Sequence, residues 1–212
     1  HVLEECAHHK VKEGISESEL AWELEKMARE QGAEALAFSP IVAFEENSAI
    51  PHHIPSSKRH LKKGDTILID FGVKSHGYDS DITRTYFFHS VSPEKEKIYN
   101  LVLEAQKIGI KNIHIGKQCS EAYNSVLHFF EEHKLAEFFT HSLGHGIGLD
   151  AHEAPSVSPS SAEHFSEWET VTCEPGLYFT EKFGVRIEDL GVIKKHEFVI
   201  LTKASKHLNV IK

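Results

Sequence analysis

Two aspartates, Asp70 and Asp81, lie in the stretch Leu68 to Tyr86, LIDFGVKSHGYDSDITRTY. Apolar and β-branched residues run from Thr66 to Val73 and again from Ile82 to Phe88, with Lys-Ser-His-Gly between them. That pattern predicts a β-hairpin. A turn centred on Ser75 and His76 places residue 74 opposite 77, 72 opposite 79, and Asp70 opposite Asp81. The two carboxyls are then direct cross-strand neighbours, their Cβ atoms roughly 5 Å apart. Carboxylates that close repel one another unless a proton or a cation sits between them. The spacing therefore asks for a metal ion and for further ligands elsewhere in the chain.

Three other clusters answer that demand. THSLGHGIGLDAHEAP, from Thr140 to Pro155, carries His141, His145 and His152. A His-x-x-x-His spacing on a helix would put both imidazoles on one face, as in zinc proteases. Gly144, Gly146 and Gly148 argue against a helix, and no Glu follows His141. The glycines point instead to extended or looped backbone pressed close to another group. A glycine-rich loop with surface histidines is the plainer alternative. Glu174 in VTCEPGLYF and Glu188 in FGVRIEDLGVI each interrupt an apolar strand. An acid in such a run is either exposed or paired. Arg186, two residues from Glu188 and on the same strand face, is the expected partner. Four carboxylates carry a charge that two divalent cations cancel. Oxygen-rich ligation with one imidazole suits Mn²⁺, Co²⁺, Fe²⁺ or Zn²⁺. Two such ions about 3.5–4 Å apart can bridge a water, lower its pKa and polarise a carbonyl.

The elements that must position these residues are legible in outline. Ser16-x-x-Glu19 is a capping box opening a helix whose apolar face is Leu20, Leu24, Met27 and Ala28, with Gly32 as its stop. Residues 38–44 read as a strand. Ser92-Pro93 opens a second long helix with Ile98, Leu101, Val102, Ala105 and Ile108 inward. Another runs from about Ser120 to His133 with Tyr123, Val126, Leu127 and Phe130 inward. From about residue 140 the chain is glycine-rich with short β-like runs. A weak repeat links the halves. VLEE at Val2 precedes a Gly14-to-Glu19 helix start, and VLEA at Val102 precedes a Gly116-to-Glu121 helix start. It predicts two similar α+β halves closing around a shared site.

The chain has 212 residues, 40% of them hydrophobic, which is ample for a core. No linker-like segment divides it, so residues 1–212 read as a single domain. A net charge of -9 disfavours nucleic acid and anionic membrane surfaces. No apolar run is long enough to span a membrane. Cys6, Cys119 and Cys173 are far apart and odd in number, which predicts reduced thiols in a cytoplasmic setting. Cys173 reads as packing beside Glu174. The start at His1 shows no signal or transit character and suggests a domain excised from a longer chain with an N-terminal domain before it.

In this order and in these motifs, the residues resemble the catalytic domain of the pita-bread metallopeptidases: Xaa-Pro aminopeptidases, prolidases and methionine aminopeptidases. The likeness is strong from about Phe38 to Thr202 and looser in the helices before it. It implies an α+β fold with pseudo-two-fold halves around a curved antiparallel sheet. It implies five ligands, Asp70, Asp81, His145, Glu174 and Glu188, for two divalent ions, with Mn²⁺ the first choice and Co²⁺, Zn²⁺ or Fe²⁺ as alternatives. Within that set Asp70 is terminal, Asp81 and Glu188 bridge, and His145 and Glu174 serve the second ion. NSAIPHH, from Asn47 to His53, is similar to the Xaa-Pro group and puts His52, or failing that His53, toward the substrate. His152 corresponds to a second substrate-contacting histidine and His141 to a further one near the site. VRIED, with Arg186, matches the Xaa-Pro group and not the methionine aminopeptidases. The implied partner is a short peptide with proline second, and a homodimer is an implied option. Glu174 is implied as the proton carrier. Tyr78 and Phe179 are candidates for the proline pocket. A methionine aminopeptidase, and a pita-bread domain that only binds peptide or protein, are the alternatives.

Overall fold

The computed structural model describes residues 1–195 and 197–212. Four helices organise it: α1 (Val2–Lys10), α2 (Glu17–Glu30), α3 (Pro93–Asn112) and α4 (Cys119–Glu132). The expected caps form. Ser16 Oγ accepts from Glu19 N while the Glu19 carboxylate accepts from Ser16 N, completing the capping box of α2. Gly32 follows that helix with φ +95°, a conformation only glycine takes without strain. Ser92 caps α3, with Pro93 at its first position.

The repeat is structural. Each helix pair encloses a glycine with positive φ, Gly14 in one and Gly116 in the other. Gly14 N donates to Leu61 O, and Leu61 N returns to Ile15 O. Gly116 N donates to Phe165 O, and Phe165 N returns to Lys117 O. Each pair then covers an antiparallel ladder. Under α1 and α2 lie Ile41–Phe44, Thr66–Asp70 and Thr83–Phe88, with Val210–Ile211 adding a parallel edge. Under α3 and α4 lie Glu153–Val157, Gly144–Gly146, Thr170–Cys173, Asp189–Lys194 and Glu197–Ile200, in that spatial order. The antiparallel layer is thus a four-stranded and a five-stranded sheet, joined across the middle by a bond from Glu188 N to Thr83 O.

Strand alternation assigns the faces. Ile67 and Ile69 pack with Leu20 and Leu24 of α2, whereas Leu68 packs with Ile41, Ala43 and Tyr178 on the opposite side. Asp70 shares the face of Leu68, toward the other half. The strand expected over 38–44 is shorter, Ile41–Phe44, because Ser39-Pro40 keeps the chain out of the ladder. All three cysteines are buried and free. No described helix is long and apolar enough to cross a membrane.

The hairpin register differs from the expectation. The turn residues are His76 and Gly77, both with positive φ, +51° and +79°. That is the conformation a two-residue type I′ turn demands, and glycine supplies its second position. The turn is therefore one residue later than predicted. Ser75 pairs with Tyr78 and Lys74 with Asp79, and Asp70 faces Thr83 rather than Asp81. Asp81 instead occupies the irregular stretch between the ladder of Tyr78–Asp79 and that of Thr83–Phe88.

Candidate metal centre

The two halves meet over a cavity of about 740 Å³ whose wall includes His52, Asp70, Asp81, His141, His145, His152, Glu174 and Arg186. Glu188 lies beneath it, 1% exposed. Asp70 ends the strand Thr66–Asp70, and Glu174 follows the matching strand Thr170–Cys173. Asp81 precedes Thr83–Phe88, and Glu188 precedes Asp189–Lys194. Each half thus contributes one acid from a strand end and one from the approach to the next strand. His145 enters from Gly144–Gly146, where glycine is obligatory. A Cβ on Gly144 would collide with the backbone of Thr172, and one on Gly146 with the backbone of Ala154. The glycine pattern thus reflects close backbone approach along an extended strand.

The donor atoms converge. One ligand atom from each of Asp81, His145 and Glu188 lies within 4.8 Å of the others. His145 Nε2 is 3.4 Å from Glu174 Oε1 and 3.6 Å from Asp81 Oδ2. His145 Nδ1 donates to Gly146 O at 3.0 Å, which leaves Nε2 as the free lone pair. Asp70 Oδ1, Asp81 Oδ1 and Glu188 Oε1 are buried and have no hydrogen-bond partner among the described residues. Buried carboxylate oxygens left in this state are costly unless a cation takes them.

Electrostatics carry the same message. Burial, reinforced by Glu188, Asp70 and Glu174, holds the Asp81 carboxyl well above the usual carboxylate range. Burial, with Glu174 and Asp70 nearby, does the same to Glu188. Burial pushes Glu174 up to about 8, against the pull of Arg186. Burial lowers His145, which favours the neutral, ligating imidazole. Without a cation these acids are pushed toward their protonated forms. Two divalent ions would replace those protons, and the oxygen-rich donor set with one imidazole fits such ions.

Arg186 is not the partner of Glu188. It ends the strand Phe183–Arg186, which pairs with Gly176–Phe179, whereas Glu188 precedes a strand of the five-stranded sheet. The chain changes sheets between them, so two-residue alternation does not carry across. The Arg186 Nη2 donates to Asp70 Oδ2 at 2.6 Å and Nη1 to Tyr178 OH at 2.7 Å, while Nε donates to Thr83 Oγ1 at 3.1 Å. Glu188 Oε2 accepts from Thr83 Oγ1 at 2.7 Å. Arg186 and Thr83 thereby fix one oxygen of Asp70 and one of Glu188, and the orphaned oxygen of each points into the cluster.

His141 accepts at Nε2 from Tyr178 OH, 2.8 Å away, and donates from Nδ1 to Ser142 O at 2.7 Å. Burial, with Arg186 close by, pushes its pKa down to about 3. It is a neutral ring with both nitrogens engaged. His152 stands at the cavity mouth, its ring centroid 4.2 Å from that of His145. His52 and His53 both line the cavity, and the Nε2 of His53 also pairs with Glu17 Oε2 at 2.8 Å. Neither Tyr78 nor Phe179 is part of the cavity wall. Tyr78 is exposed at the hairpin tip, and Phe179 stacks on Phe138 and Phe183. Sequence reasoning missed Thr83, Thr172 and Tyr178. Thr83 lies two residues after Asp81, and Thr172 donates to Glu174 Oε1 at 3.2 Å from two residues before it. Hydroxyls flanking acids in apolar strands were the available signal.

Residues 1–195 match the model of metallopeptidase family M24. The chain belongs to that family. It is 39% identical over 203 residues to a Xaa-Pro dipeptidase of Pyrococcus horikoshii, covering 96% of this chain and 58% of the relative. An X-Pro aminopeptidase structure from Thermotoga maritima superposes with a TM-score of 0.96 at 37% identity, over 99% of this chain and 59% of that one. A prolidase from Pyrococcus furiosus gives 0.92 at 35% identity, over 96% and 61%. The fold is the pita-bread fold. This chain spans little more than half the length of these relatives.

Proposed function

We propose that the chain is the catalytic part of a Xaa-Pro peptidase, hydrolysing the bond between the first residue of a peptide and a proline in second place. The observation that carries this reading is the cluster of unpartnered carboxylate oxygens around His145 Nε2 at the floor of an open cavity. Its support from outside the molecule is that similar proteins bear the names Xaa-Pro dipeptidase, X-Pro aminopeptidase and prolidase.

Asp70, Asp81, His145, Glu174 and Glu188 would hold two divalent ions, Mn²⁺ in first place and Co²⁺, Zn²⁺ or Fe²⁺ as alternatives. When bound, such a pair supplies an activated water and polarises the scissile carbonyl. Glu174 takes the water proton on its carboxylate and returns it to the proline nitrogen, which has no N–H of its own in the peptide. His152 and His52, both in the cavity wall, donate to the peptide carbonyl as charge develops on its oxygen. Arg186 and Tyr178 keep Asp70 and the neutral His141 ring in place. The three buried thiols are compatible with a cytoplasmic setting.

The test is release of the first residue from Ala-Pro and Ala-Pro-Ala by the Mn²⁺-loaded protein, with a chelated sample alongside. Metal-dependent release is expected. Faster cleavage of a Met-Ala peptide, or no release from either proline peptide, would overturn the proposal.

A further inference from the structure

Glu17 is the first residue of α2 and lies on the far side of the strand Ile41–Phe44 from the metal ligands. It is 0% exposed. Its carboxylate is not idle. Oε1 accepts from Phe44 N at 2.7 Å and Asn47 Nδ2 at 3.0 Å. Oε2 accepts from Ser56 N at 3.0 Å and pairs with His53 Nε2 at 2.8 Å. Every one of these partners belongs to residues 44–56, the segment that crosses the cavity mouth. The start of α2 holds the same segment and the chain just after it in other ways: Ser18 Oγ donates to Pro55 O at 2.9 Å, Ser18 N to Ser56 O, and Glu17 N to Arg59 O.

Within that segment Pro51, His52, His53, Ile54 and Pro55 all line the cavity. His52 precedes the residue that Glu17 grips, and Pro51 O accepts from Arg186 Nη1 at 3.3 Å on the inner side. The loop is thus pinned from outside by one buried carboxylate and from inside by one guanidinium. A buried acid with four loop groups converging on it is a costly device. A well-packed apolar contact would have filled the same space, but it would not have fixed the loop's direction. Loops carry functional side chains only when a rigid element holds them.

We propose that Glu17, acting through His53, is a positioning residue that sets where His52 stands in the cavity. This rests on the Xaa-Pro reading for its kinetic arm but not for its structural arm. It also gives Asn47 a role as a rung between Glu17 and the loop, away from the substrate.

The test compares wild type, Glu17→Gln, His53→Ala and His53→Gln, all loaded with Mn²⁺. Three readouts are taken on each: metal content, hydrogen exchange by segment, and kcat and KM on Ala-Pro-Ala. For Glu17→Gln the expectation is unchanged metal content and exchange at least ten-fold faster across residues 44–56. Strands Thr66–Asp70 and Thr170–Cys173 keep their protection, and kcat/KM falls at least ten-fold. His53→Ala reproduces the kinetic loss, and His53→Gln, which can still donate to the carboxylate, loses less. Unchanged exchange in residues 44–56 overturns the anchoring. Faster exchange with unaltered kcat/KM overturns the positioning role. Loss of metal or of strand protection together with activity shows a general structural role and also overturns it. If wild type cleaves no proline peptide, the proposed function fails, while the exchange data still decide whether Glu17 anchors the loop.

Discussion

Replacing Arg186 by methionine keeps an unbranched apolar stem and removes the guanidinium with its charge and its donors. The residue is 3% exposed and supplies the only permanent cation in the cavity wall among the described residues. Its loss strands Asp70 Oδ2, now held at 2.6 Å, among three other carboxyls. Breaking a buried pair by removing one partner costs about 3–5 kcal/mol. The Tyr178 and Thr83 bonds add about 1 kcal/mol each where no new partner is found, so the first figure is a lower bound. For a chain of this size each kcal/mol lowers Tm by roughly 2–4 °C, so the metal-free variant should melt at least roughly 6 °C below wild type. Saturating Mn²⁺ should narrow that gap, because a bound cation then faces Asp70. Arg186→Lys should fall between, since a point charge restores the Asp70 contact but not the fork to Tyr178 and Thr83. Differential scanning calorimetry of metal-free and Mn²⁺-loaded samples makes the comparison. A metal-free Arg186→Met protein melting within 2 °C of wild type would refute the reasoning, as would a gap that Mn²⁺ leaves unchanged.

His152→Ala should leave the metal content intact while kcat/KM falls about 10²–10³-fold, the range seen when a donor to developing charge is removed; loss of metal would make His152 a ligand. Metal-free stability should fall with rising pH. Glu174, ordinarily near 4.5 and pushed up to about 8 by burial, binds its proton more tightly folded than unfolded. That stabilisation is full below about 4.5 and is lost as pH rises to about 8. Thermal melts at pH 5 and pH 8 read it directly, and a higher melting point at pH 8 without metal would contradict it. Gly144→Ala should destabilise by about 1–3 kcal/mol, measured by urea unfolding, because its Cβ meets the Thr172 backbone, which has nowhere to go.

How much was legible follows the range of the signals. The capping box at Ser16, the Ser92-Pro93 start and the two glycine breaks are local chemistry, and all appear where the residues put them. Of the four acids and one histidine, the aspartates stood out by their hairpin spacing, the glutamates as interruptions of apolar runs, and His145 through the resemblance to the metallopeptidases, and the fold places all five at or beneath one cavity. The hairpin register failed by a single residue. Ser75-His76 and His76-Gly77 are both acceptable turn centres until the backbone angles are known, and a one-residue shift of the turn moved Asp70 from Asp81 to Thr83. The pair still converges because Asp81 sits in an irregular stretch that strand alternation does not govern. The Arg186 partner was misread for a related reason: the chain changes sheets between Arg186 and Glu188. Glu17 left no trace as a site residue, since its partners lie 27 to 39 residues away and a first-turn glutamate looks like any helix start.

Metal binding by Asp81 and its neighbours is the property on which the proposed chemistry depends. Elemental analysis of the purified chain after Mn²⁺ loading and desalting, for wild type and Asp81→Ala side by side, is the direct measurement. Two ions per wild-type chain and none retained by Asp81→Ala are predicted. Wild type without bound metal, or Asp81→Ala with an undiminished content, would contradict it.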